Sequence, residues 1–207
     1  MKENYFMGMD GFVWFTGVVE DRNDPSKLGR VKVRCLGLHT ESKVDIPTED
    51  LPWAHVMQST NNPSMQGLGN TPTFLVEGTW VVGFFLDAVE KQQPLIMGTL
   101  PGIPQAVADT TKGFNDPNGT YPSEKITHSN HAIEESDVNR LARNDTDKAH
   151  AVVSAKNTGR TTGVAIANSS TTFDEPTSAY AASYSKNHVL ETESGHIKEN
   201  DDTSGQE

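Results

Sequence analysis

The clearest pattern of hydrophobic and polar positions lies between Phe12 and Leu38. Phe12 to Glu20 is aromatic and β-branched. Asp21 to Gly29, DRNDPSKLG, is a run of turn formers ending on a glycine. Arg30 to Cys35 then alternates strictly, with Arg30, Lys32 and Arg34 facing one way and Val31, Val33 and Cys35 the other. Alternation with a period of two after a polar turn predicts an antiparallel hairpin with one buried face. The cationic face reads as solvated or protein-contacting. Three more strands are expected: Leu51 to Gln58, Thr79 to Asp87 and Pro94 to Leu100. The second of these is nearly all apolar and reads as a central strand buried on both faces. Gly17, Gly83 and Gly98 interrupt strands, where glycine marks bulges and barrel corners. The loop Ser59 to Gly78 is long and irregular, a length usually reserved for function or motion. Five short strands in about 90 residues predict a small five-stranded antiparallel barrel of the OB type over residues 1–104. An SH3-like barrel is the competing fold. Trp14, Val31, Val33, Trp53, Trp80 and Phe84 are its expected core.

The pattern then fades. Residues 105–188 contain 11 Ile, Leu, Val or Phe among 84. So few apolar side chains bury too little surface to offset ordering the backbone, which predicts an extended, largely irregular linker. Weak helical spacing over Ile133 to Val153 allows one short exposed helix. Strand character returns over residues 189–207, where Val189, Leu190 and Ile197 flank the acidic turn Glu191-Thr-Glu-Ser-Gly195. A single hairpin of this size is marginal alone, so it is expected to need other chains.

Charge narrows the functional classes. The 207 residues carry 17 Lys and Arg against 28 Asp and Glu, a net charge of −11. Binding to a nucleic-acid backbone requires a basic surface, so an oligonucleotide-binding role, common among such barrels, is disfavoured. No stretch approaches the roughly 18 apolar residues of a membrane span. The single cysteine, Cys35, excludes an intramolecular disulfide and reads as a small buried hydrophobe. His128 and His131 lie in a segment without periodicity to present them to a metal, and His55 reads as a barrel residue. The abundant carboxylates lack a cleft of the kind glycoside hydrolysis needs. Gly67-Leu-Gly69 lacks the strand-turn-helix setting of a phosphate loop. The expectation is no catalytic residue, no metal and no cofactor.

Several segments together resemble one family. WFTGVVEDRNDPSKLGRVKVRCLGLH (Trp14 to His39), IPTEDLPWAHVMQ (Ile46 to Gln58), VEGTWVVGFFLD (Val76 to Asp87), FNDPNGTYP (Phe114 to Pro122) and LETESGHIKENDDTSGQE (Leu190 to Glu207) are similar to the central spike, or baseplate hub, proteins of T4-like contractile phage tails. The spike proteins of type VI secretion systems share the first hairpin more distantly. The resemblance implies a structural homotrimer in the virion's tail baseplate, assembled in the host cytoplasm. A trimeric hub protein continuing the tail tube would lie above it, and a β-helical needle or tip protein below, with transient contact with the host envelope. It implies that residues 189–207 enter a triple-stranded β-helix, with Val189, Leu190 and Ile197 at the trimer axis. Hub contacts are expected in the loops 21–29 and 59–77, at Asp21, Arg22, Lys27, Met65 and Leu68. Many relatives carry a lysozyme domain between barrel and β-helix. The corresponding interval here, Pro122 to Asp174, is polar and coreless, so no such domain is expected. The family's long β-helix follows the equivalent of Gly205-Gln206-Glu207, which leaves the needle to a longer form of the chain or to a separate polypeptide. A tail-associated cell-wall hydrolase and a single-strand nucleic-acid-binding OB protein are the alternative readings.

Overall fold

The computed structural model describes residues 12–123, 133–145, 162–174 and 180–206. Five strands are built from the five apolar stretches: β1 (Val13–Asp21), β2 (Val31–Cys35), β3 (Trp53–Val56), β4 (Trp80–Phe85) and β5 (Pro94–Thr99). They close in the order β1-β2-β3-β5-β4, with β4 returning to β1. All pairings are antiparallel except β3 with β5, which is parallel. The ladder slips between Val19 and Asp21 in β1 and between Val82 and Gly83 in β4, bulges of the kind that let a small sheet curl shut.

Inward positions follow the pleat. Phe15, Val19, Val31, Val33, Cys35, Ala54, Val81, Phe85 and Ile96 form one buried cluster, with the Phe15 and Phe85 rings 5.0 Å apart. Burial pushes the Cys35 thiol up to about 12, and the thiolate is the reactive form. Iodoacetamide at pH 8 is therefore expected to leave Cys35 unmodified in native protein and to label it fully in denaturant. Labelling at comparable rates in both would contradict a closed barrel.

The expected core needs correction at four positions. Trp14 is 56% exposed and Trp80 42% exposed. Both stand at outward positions of their strands, because Trp14 pairs with Phe84 and Trp80 with Val18 across β1 and β4. The barrel interior takes the alternate residues. Trp53, next to the core residue Ala54, also lies outside, half-buried, with the Lys32 ammonium 5.0 Å and the Arg30 guanidinium 5.6 Å from its ring centroid. Phe84 is buried, but against Phe12 and Trp14 on the outer surface. Val31 and Val33 sit inside. Nor is β4 covered on both faces, since Trp80 is exposed and Val82 half-buried.

The basic face of β2 is the larger surprise. All five β2 residues are buried, and Arg34 has no exposed surface. The chain itself covers the cations. The first compact unit runs through Ser123, past the expected barrel limit at 104, because residues 110–121 fold back onto this face as a strap. Ser42 bridges Lys112, and Gly113 N donates to Glu41 O at 2.7 Å.

The second unit spans residues 124–207. Its described parts are α1 (Arg140–Arg143), the two-residue pair β6 (Val164–Ala165) with β7 (Thr172–Phe173), and the hairpin of β8 (Asn187–Glu191) with β9 (Ile197–Asp201). The expected exposed helix reduces to one turn whose Arg140, Leu141 and Ala142 are buried. Asn139 caps it by accepting from Leu141 N at 2.9 Å. Glu135 holds Arg140 through two bonds of 2.6 Å and Arg143 at 2.8 Å. Residues 146–153 of that stretch lie outside the described residues.

Candidate functional site

Buried carboxylates shape the loops of the first unit. Glu20, 1% exposed near the end of β1, accepts from Arg34 Nε at 2.7 Å and from Phe114 N at 2.8 Å through Oε1. Through Oε2 it accepts from Arg34 Nη2 at 3.1 Å and from the Thr48 hydroxyl at 2.9 Å. Arg34 completes its fork on Thr40 O and Ile46 O, both at 2.8 Å. Gly113 lies over the guanidinium so closely that a Cβ there would overlap it. The pair thus ties β1, β2, the 40–48 loop and the strap in one place. His39 sits beside it, accepting from Cys35 N at 2.9 Å. Burial, then the nearby Arg34 charge, hold its imidazole below the ordinary histidine range. Asp116, 1% exposed, accepts from Asn118 N, Thr120 N and Tyr121 N at 2.8, 2.7 and 3.0 Å, fixing the far end of the strap.

The 21–29 turn is organised the same way. Asp24 accepts from Ser26 N and Leu28 N, both at 3.0 Å, and pairs with Arg30 at 2.8 Å. The Arg30 guanidinium holds its carboxyl well below the usual carboxylate range. Arg22 lies 3.3 Å from Glu77, and Asp21 accepts from Asn23 N at 2.8 Å. Lys27 is exposed in the left-handed region, at φ 54°. The charges of this turn at Asp21, Arg22, Asp24 and Arg30 are therefore answered within it or by Glu77.

The β3–β4 loop presents Met65 and Leu68, which bridge one another as a small turn. A second apolar surface lies on the outside of β1 and β4, where the Phe12, Trp14 and Phe84 rings stand 4.8 to 5.8 Å apart.

In the β8–β9 hairpin, Val189 pairs with Glu199 and Glu191 with Ile197. Burial alternates along both strands, so Val189 and Ile197 share the half-buried face while Leu190, 46% exposed, stands on the other. The structure therefore does not bring the three expected axial residues onto one face. Asn187 anchors the half-buried face, donating to Leu141 O at 3.1 Å and to Glu199 at 2.8 Å. Tyr180 donates to the same Glu199 at 2.9 Å, and burial followed by that carboxylate raises its hydroxyl above the ordinary tyrosine range.

Among the described residues, no group of three or more His, Cys, Asp or Glu is placed to hold a metal ion. His55 is exposed, and His128 and His131 lie outside the described residues. Arg34 and Lys32 are engaged internally, Lys32 with Glu49 O, so the β2 face expected to be solvated or protein-contacting does not present these two cations. Sequence reasoning missed Glu20, Asp116 and the strap. The Glu20–Phe114 contact spans 94 residues, and no local pattern announces it. It also missed Asn62, described below, although its neighbourhood carries a readable signal: the absence of charge.

The model of the Gp5 N-terminal OB domain family matches residues 37–182. That span takes in β3, β4 and β5 and continues well past the barrel, while β1 and β2, which close it, precede the match. The chain is 44% identical over 232 aligned residues to Protein Gp5 of Vibrio phage KVP40, covering 98% of this chain and 53% of that protein. It is 47% identical over 114 residues to the pre-baseplate central spike protein Gp5 of Enterobacteria phage T4, covering 53% of this chain and 20% of that protein. The chain thus spans about half the length of the first relative and a fifth of the second.

Proposed function

We propose, on the premise that this chain belongs to the Gp5 N-terminal OB domain family, that it is a central spike component of a contractile phage-tail baseplate. The observation that carries this reading is the extent of its similarity to the KVP40 protein, which runs through 98% of the chain, from barrel to hairpin. In this reading the chain forms a homotrimer below the tail tube. The barrel docks on a trimeric hub protein, the segment 105–188 passes the load on, and residues 189–207 begin an intertwined β-prism that leads to the tip. Two features support it. A two-stranded ribbon is marginal in water, and none of Val189, Leu190 and Ile197 is fully buried by its own chain, so sister copies have apolar surface to cover. The closed barrel offers no strand edge, which leaves side-chain surfaces and loops to meet the hub.

The role is mechanical, and we assign it no catalytic residue. The polar composition of 105–188 supports this, since a hydrolase domain needs its own apolar core. The test is the solution mass of the purified chain by light scattering, alone and with the purified hub subunit of the same tail. The expected result is three times 22.6 kDa, rising to a defined complex when the hub is added. A monomer indifferent to the hub overturns the reading. Peptidoglycan turnover abolished by a single carboxylate substitution would replace it with the hydrolase reading.

A further inference from the structure

The loop between β3 and β4 differs from the chain around it. From Val56 to Val76, 21 residues, there is no Asp, Glu, Lys, Arg or His. With 22% of the chain charged, four or five charges would be expected in a run of that length. The loop is nonetheless firmly held. Asn62 Nδ2 donates to Gln58 Oε1 at 2.8 Å and to Asn70 O at 3.1 Å, while Asn62 Oδ1 accepts from Asn70 N at 2.8 Å. Gly69 crosses this amide at φ +102°, where a Cβ would collide with it. Ser64 and Gln66 also take left-handed conformations, at φ 44° and 50°, which cost residues with a Cβ and must be held by their surroundings, while Gly67 takes one freely at φ 84°. The product is a rigid turn with Met65 59% and Leu68 60% exposed at its tip, and Phe74 67% exposed toward its base.

An apolar tip that is already ordered spares binding the cost of ordering it. Interface cores are depleted of charge and enriched in methionine, and this run is uncharged and holds Met57 and Met65. In the other expected contact, the 21–29 turn, Arg22 and Asp24 are already paired, with Glu77 and Arg30. An uncharged apolar tip on a chain of net charge −11 suits a partner that offers apolar rather than charged surface.

We propose that Met65 and Leu68 form a preorganised knob that seats in an uncharged apolar socket of the hub subunit, with Asn62 as the positioning residue that holds its shape. The proposal rests on the spike reading above and assigns the docking surface that reading leaves open.

The experiment is calorimetric titration of the full chain with the purified hub subunit of the same tail, with solution mass and melting temperature followed in parallel. Met65→Asp/Leu68→Asp is expected to weaken hub binding about 100-fold, as loss of interface anchors does. Its trimer mass and melting temperature stay unchanged, because both side chains are exposed. Asn62→Ala is expected to weaken binding about tenfold with the tip residues intact, through the cost of ordering a loosened loop. Arg22→Ala/Lys27→Ala is expected to bind like the parent. Parent-like binding by the double aspartate variant overturns the knob and leaves the spike reading standing. Failure of the unaltered chain to bind the hub overturns the spike reading itself. Loss of the trimer in the double aspartate variant would make the knob a contact between sister copies and overturn the assignment.

Discussion

Glu20→Gln is expected to destabilise the barrel unit by about 3–5 kcal/mol, the range for removing one partner of a buried ion pair. Set against the roughly 5–15 kcal/mol of a typical domain, that is a large share. Glu20 and Arg34 side chains are both fully shielded from solvent. The amide would leave a buried guanidinium without its counter-charge. It would also put an NH2 group where one oxygen had accepted bonds, opposite either Phe114 N or the Thr48 hydroxyl. Urea unfolding, followed by tryptophan fluorescence, measures the loss. Hydrogen exchange locates it: the Phe114 amide should be protected in the parent and exchange early in the variant. Glu20→Gln/Arg34→Met removes both charges and should recover part of the loss, since replacing a whole buried pair is far milder than breaking it. Recovery should be incomplete, because Thr40 O and Ile46 O lose the donors they had in Arg34. A Glu20→Gln variant as stable as the parent, with Phe114 still protected, would show that the strap is held by something other than this carboxylate.

Gly83→Ala is the second large effect, about 3 kcal/mol at the upper end of overpacking costs. Gly83 stands at the β4 bulge, opposite Phe15 on one side and Ile96 on the other. A Cβ there would overlap the Leu95 carbonyl oxygen, lie 3.0 Å from its carbon and come within 2.8 Å of the Phe15 ring. The oxygen belongs to the backbone of β5 and the ring to the closed core, so no rotamer change relieves the clash. The β4–β5 pair must part where the barrel closes. Gly98, in β5, has nothing within 4 Å of an added Cβ. Gly98→Ala is therefore expected to leave stability unchanged or raise it by up to about 1 kcal/mol, by restricting the unfolded chain. Equal unfolding midpoints for the two variants would refute the close approach at Gly83.

The five strands were legible because each is a short β-branched or aromatic run bounded by turn formers. Which face each residue took was legible only where alternation was strict, as in Val31, Val33 and Cys35. Trp14 and Trp80 were misplaced because their strands are apolar on both sides, leaving no contrast to set the pleat. Alternation did separate Arg34 from the core, but not what would lie above it. That cover comes from residues 110–121, and a short-range pattern carries no information about a partner 94 positions away. The helix turn at 140–143 was undervalued for a related reason. Its order rests on Glu135 gripping two arginines, and ion-pair geometry leaves no trace in hydrophobic spacing. In the β3–β4 loop, the length and irregularity were visible in the sequence. The grip of Asn62 on Asn70 was not, since an asparagine in a polar loop has many possible partners.

Because β4 hydrogen-bonds back to β1, the barrel's ladder has no beginning and no end. Copies of the chain therefore cannot add to one another edge to edge through the barrel. Among the described residues, the strands with unsatisfied flanks are confined to the short pairs of the second unit, the β8–β9 ribbon above all. Edge-to-edge pairing between copies is thereby left to these short pairs, whose outer flanks are the ones open to further strands.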